Sequence, residues 1–169
     1  MRDHRLIAVH RGGPLTLEHH RQLITWAADC AEHVLPLAGN LSNDQCLLEA
    51  IKVARAWAKG EVPVGTAQKA SLGAHATARE ALTPTATAVA RAVGQAVATA
   101  HMADHSLGGA LYALKAIEAD GQPMDLEYHW QLQQLPLELR TLVFSAFQSP
   151  RFKGVFRITQ STGKERYQL

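Results

Sequence analysis

No run of about 18 uncharged apolar residues occurs in the sequence, which excludes a helix built to cross a membrane. Met1-Arg-Asp-His-Arg leads into no apolar segment with a cleavage site, so a soluble, cytoplasmic protein without a membrane partner is expected. Two cysteines are too few for a disulfide framework. Cys30 and Cys46 stand among apolar neighbours in helical patterns, and both are expected as buried thiols. Catalytic signatures are missing as well. There is no Gly-x-Ser-x-Gly elbow, no cysteine in a basic, exposed setting, and no phosphate loop, since Gly12-Gly13-Pro14 lacks the Gly-Lys-Ser/Thr ending. These absences argue against an enzyme.

A net charge of +2 conceals a separation along the chain. Residues 1–23 hold four basic and two acidic side chains, residues 147–169 five and one, and the segment between them eight and twelve. A nucleic-acid binder gathers Lys and Arg on one folded face; an acidic body with basic ends does not, so nucleic acid is not an expected partner. With 169 residues, 47% of them apolar, the chain is long enough for one domain with its own core and short for two.

The apolar spacing predicts an all-α fold, a single alanine-rich bundle of about five to seven helices. Across residues 16–35, Leu17, Ile24, Ala27, Ala28, Ala31, Val34 and Leu35 line one face, with Thr16 as N-cap and Pro36 near the end. A second helix follows Ser42-Asn43, buries Leu47, Ile51, Ala54 and Ala58, and stops at Gly60. A third opens at Pro63 and ends before Pro84; its inward stripe is Ala67, Ala70, Ala74 and Ala78. Thr83 caps a fourth pattern, Val89, Val93, Val97 and Ala100, that continues through Leu107, Leu111 and Leu114.

Unbroken to residue 119, that fourth helix would run about 50 Å. A domain of this size does not need such a length, and a break is expected between Ala98 and His105. Gly108-Gly109 implies close approach of another helix, and Pro136 divides the last helical stretch, residues 125–147. The expected organisation is an N-terminal extension at 1–15, a helical bundle at 16–147 and a basic tail or hairpin at 148–169. Residues 6–9, 155–159 and 166–169 are candidates for a small β element at the termini.

The densest polar chemistry lies in residues 98–115, ATAHMADHSLGGALYALK. His101 and His105 have the i, i+4 spacing that lets two imidazoles share a metal ion, and Asp104 is spaced to add an oxygen ligand or orient a ring. Met102 stands where the HExxH of a zinc protease carries Glu, and the paired Glu-x-x-His segments of a di-iron bundle are missing. The stronger expectation is a structural polar network of Asp29, His33, His75, His101, Asp104 and His105, because buried polar groups normally find partners. Asp29 and His33, also i, i+4, suit a pair on the helix surface. Neither a catalytic residue nor a cofactor is assigned. Glu118, Asp120, Asp125 and Glu127 flank residues 119–123 with no basic residue among them, a patch suited to steering a basic partner.

Four stretches occur in order: HRGGPLTL at 10–17, WAADCAEHVLPL at 26–37, ARAWAKG at 54–60 with AHATAR at 74–79, and VATAHMADHSLG at 97–108. Together with WQLQQLP at 130–136, they make the chain similar to the bacterial immunity proteins of the immunity-five-like family over roughly residues 9–147. The resemblance implies a small helical protein of a polymorphic toxin system. Its implied role is to bind a cognate protein toxin, expected to be basic, and neutralise it without catalysis. Two other classes of function fit the residues. One is a metal-binding protein or metal-dependent enzyme centred on His101, Asp104 and His105; the other is a homo-oligomeric structural or regulatory module whose alanine faces pack between subunits.

Overall fold

In the computed structural model, which describes residues 3–149, seven α-helices follow one another: α1 (Leu17–His33), α2 (Gln45–Lys59), α3 (Val64–Glu80), α4 (Pro84–Ala98), α5 (His105–Ala119), α6 (Met124–Gln134) and α7 (Leu137–Phe147). Their ends have local causes. Thr16 Oγ1 accepts from His19 N at 3.1 Å, Asp44 Oδ1 from Leu47 N at 3.0 Å, and Thr83 Oγ1 from Ala86 N at 3.1 Å, each satisfying an amide that the first helical turn leaves open. Gly60 closes α2 at φ +81°, a conformation that costs residues with a Cβ and not glycine. After α1, Pro36 forbids further α-helix, and the chain passes through 3₁₀ turns at Leu35–Asn43 with a kink at Gly39.

The expected break falls where the spacing argument placed it: α4 ends at Ala98, and α5 begins at His105. α4 is the central helix. Thr85, Ala86, Ala88, Val89, Ala90, Ala92, Val93, Gly94, Ala96, Val97 and Ala98 are all buried, and α4 packs on α1, α2, α3 and α5. Small residues make such crowding feasible, since the side chains at a crossing set how near two helix axes come. A Cβ on Gly109 of α5 would lie 3.3 Å from Ala27 Cβ of α1 and 3.4 Å from the Ala96 backbone of α4. Gly109 is therefore the contact point of three helices. Around this small-residue centre, Leu23, Ile24, Trp26, Leu47, Leu107 and Leu114 fill the larger volumes and are essentially inaccessible to solvent.

The described residues form one all-α domain. Among the described residues no strand forms; at the N-terminus two 3₁₀ turns, His4–Leu6 and Val9–Arg11, and a single bridge between Ala8 and Leu15 stand where a small β element was a candidate. Leu6, Ala8 and Leu15 of this segment are buried against the bundle. The strand candidates at 155–159 and 166–169, and the basic tail from 150 on, lie outside the described residues. Two expectations of burial need correction. Cys46, in the first turn of α2, is exposed, with Sγ lying over Gly73 of α3; Leu17, the first residue of α1, is 52% exposed because its side of the opening turn faces no other helix. No helix of the described residues is long and apolar enough to cross a membrane.

Candidate functional site

The α4–α5 break gathers His20, Thr99, His101, Asp104 and His105. They come from α1, the connection after α4 and the first turn of α5. His20 is fully buried on α1 and its Nε2–H donates to the Thr99 carbonyl at 2.6 Å, tying α1 to the end of α4. Burial pushes its pKa below the usual histidine value, opposed by this hydrogen bond and reinforced by His10, Arg11 and His101 nearby. His105 Nδ1–H donates to Gln95 Oε1 at 2.7 Å, tying α5 back to α4. The His101 and His105 rings sit 4.9 Å apart between centroids, tilted by 50°. Asp104 is buried at the start of α5.

The space that His20, His101 and Asp104 enclose with Leu6, Ala8 and Arg11 is only about 20 Å³, the scale of a single water molecule rather than of a substrate. Among the described residues, no group of three or more His, Cys, Asp or Glu is placed to hold a metal ion. His75 lies apart from this cluster. Its ring packs over Gly94 of α4, where a Cβ would come within 2.7 Å, and its pKa is lowered by burial, then by Arg91 and Arg79. Cys30 is buried, and burial, followed by the charges of Glu127 and Asp29, pushes its thiol well above the ordinary range. Such a setting favours the neutral thiol over the thiolate.

Asp29 and His33, one turn apart on α1, face different neighbours. Asp29 Oδ1 meets Arg55 of α2 at 2.8 Å, and the same guanidinium reaches Glu32 at 2.6 Å. His33 turns to α6. Its Nδ1–H donates to Glu127 Oε2 at 2.7 Å, and its ring stacks on Trp130 at 3.8 Å between centroids, 17° from parallel. Glu127 Oε1 also accepts from Gln131 Nε2 at 2.9 Å, Gln131 Nε2 donates to the Ala110 carbonyl of α5, and Trp26 Nε1 of α1 donates to the Gln131 carbonyl at 2.7 Å. One carboxylate thus anchors α6 to α1, with α5 joined through Gln131.

This corrects the reading of the acidic patch, because Glu127, with a side chain only 3% exposed, is part of the interior and not of the surface. Glu118 and Asp120 are exposed at the end of α5, and Asp125 is half-buried in the first turn of α6. Sequence reasoning passed over Trp26, Trp130 and Gln131. The WQLQQLP stretch carried two of them as a motif but said nothing of their partners.

Comparison with known proteins supplies one match. The family model described as Imm-5 like putative immunity protein covers residues 13–138, which is α1 to the start of α7. The chain belongs to the Imm-5 like family. No curated protein and no solved structure matches it. The matched Imm-5 like region holds the buried tie of His33, Glu127, Gln131 and Trp26 and the whole α4–α5 break. In this Imm-5 like chain the polar residues at the α4–α5 break and around Glu127 join helices to one another.

Proposed function

We propose that this chain is a non-catalytic immunity protein that binds a cognate bacterial toxin in the cytoplasm and neutralises it by covering the surface the toxin needs. The observation that carries this reading is the Imm-5 like match across the helical body. A second support is that Glu127, Gln131, His20 and His105 each tie one helix to another, and the space at the α4–α5 break is too small to admit a substrate. Function then falls to the exterior.

The part of the exterior we assign to the toxin is the turn between α5 and α6, where Glu118, Asp120 and Asp125 lie within eight residues and Leu126, 77% exposed, stands beside them. Carboxylates at the rim of an exposed apolar side chain suit a basic partner, accelerating encounter more than they deepen affinity. A lasting complex would bury at least about 1,000 Å² in total, more than this turn alone offers.

The test uses the product of the neighbouring gene. The purified chains are expected to form a 1:1 complex, and Glu118→Lys with Asp120→Lys should slow association about tenfold at low ionic strength, the difference shrinking as salt rises. Unchanged association rates at low salt would remove the acidic turn from the interface. Failure to form any complex would remove the neighbour as partner.

A further inference from the structure

A groove of about 490 Å³ opens between α1, α2 and the α6–α7 junction. It lies at the opposite end of α6 from the acidic turn, about 16 Å away along an 11-residue helix. Its lining holds three cations, Arg21, Arg55 and Lys59, against two carboxylates, Glu18 and Asp29. Arg55 is already engaged by Asp29 and Glu32. Arg21 and Lys59 make no ion pair among the described residues.

Arg21 carries the argument further. Its Nε–H is shut off from solvent and meets no acceptor, and Oε1 of the adjacent Gln22 is shut off and meets no donor. Both residues line the groove, and neither atom finds its complement within the protein, so a ligand seated there can supply it. The guanidinium is also given its place. Gly60, at φ +81°, leaves open the space beside it, since a Cβ there would lie 3.0 Å from Arg21 Nη2.

We propose that this groove receives an acidic segment of the partner protein, with Arg21 and Lys59 taking a side-chain carboxylate and Gln22 Oε1 taking a backbone N–H of the same segment. The inference rests on the reading that this protein works by binding another. A planar guanidinium fork matches a carboxylate with two parallel hydrogen bonds, and a peptide N–H satisfies the glutamine oxygen, so one acidic residue in an extended strand answers both unmatched groups. The exterior is then bipolar along α6: the carboxylates of the turn that precedes it meet basic groups of the partner, and the cationic groove beyond its last turn meets acidic ones.

The test is an NMR titration of the isotope-labelled full chain with the blocked peptide acetyl-Asp-Glu-Asp-amide, its isosteric counterpart acetyl-Asn-Gln-Asn-amide, and inorganic phosphate. The acidic peptide is expected to shift the Arg21 Nε–Hε resonance saturably, at least tenfold more tightly than the amide peptide does. Arg21→Gln should weaken its binding at least tenfold and Lys59→Gln about threefold, with Lys69→Gln on α3 without effect. Equal binding of both peptides, or indifference to Arg21→Gln and Lys59→Gln, would overturn the proposal. So would phosphate binding as tightly as the acidic peptide, which would mark a site for free anions. The titration needs no toxin: a complex formed with the neighbouring gene product without carboxylate binding here would sink the groove and leave the immunity reading standing.

Discussion

A carboxylate excluded from water needs donors, and Glu127 has two, the His33 imidazole and the Gln131 amide, on opposite oxygens. Truncating it strands both donors; Gln131 keeps its bond to Ala110, and His33, almost half exposed, can turn to solvent. The expected cost of Glu127→Ala is therefore about 2 kcal/mol, the loss of two charge-assisted hydrogen bonds offset by partial rehydration. Glu127→Gln, which keeps the shape, should cost less. Urea unfolding of the two variants checks this, and a change below about 0.5 kcal/mol for the alanine variant would show that the buried tie contributes little. None of this was legible from the residue itself. In the sequence Glu127 is one of four acidic residues within ten positions, and only the docking of α6 on α1 separates it from Glu118 and Asp120. Asp29 and His33 teach the same lesson. Their i, i+4 spacing was visible, but their partners, Arg55 and Glu127, come from helices far along the chain.

Among the helices, the features that came through in the sequence are those set by local chemistry. Thr16, Thr83, Gly60, Pro63 and Pro136 each mark a boundary by what a cap, a positive φ or a missing N–H does to its own turn, and the structure has a boundary at each. The break between α4 and α5 was legible from length alone. α6 was not legible in its facing, because its apolar residues, Met124, Leu126, Tyr128, Trp130 and Leu132, alternate instead of following a helical stripe. The face it buries is the polar pair Glu127 and Gln131. Gly108-Gly109 did announce close packing, and this yields a paired test. Gly109→Val should destabilise by about 2–3 kcal/mol, since neither the Ala27 methyl nor the Ala96 backbone can give way. Gly65→Ala on α3, where a Cβ meets nothing within 4 Å, should gain up to about 1 kcal/mol of helix propensity. Thermal unfolding of both variants decides it; a Gly109→Val variant as stable as the parent would mean that the three helices do not meet there.

For the molecule as a whole, the bundle's polar interior makes stability depend on pH. His20 and His75 both have pKa values below the usual histidine value, so between about pH 6.5 and their folded values the unfolded chain binds more protons than the native one. Their contribution is fully present above about pH 6.5 and is lost as pH falls through the folded values. The urea midpoint should accordingly drop between pH 7.5 and pH 5.5. His20→Gln, which retains a donor for the Thr99 carbonyl but does not titrate, should flatten that drop. A midpoint that holds or rises at pH 5.5 would contradict the buried neutral state of His20. At this scale the sequence conveyed the fold class and the family through ordered motifs, but not which charges reach the surface.

Neutralisation of a toxin is the role proposed for this exterior. It is tested most directly by growth of cells expressing the neighbouring gene product from an inducible promoter, with and without this chain. Arrest is expected without the chain, growth restored with it, and restoration weakened when Glu118→Lys and Asp120→Lys are combined with Arg21→Gln. A neighbouring product that is harmless alone, or an arrest that this chain leaves untouched, would contradict it.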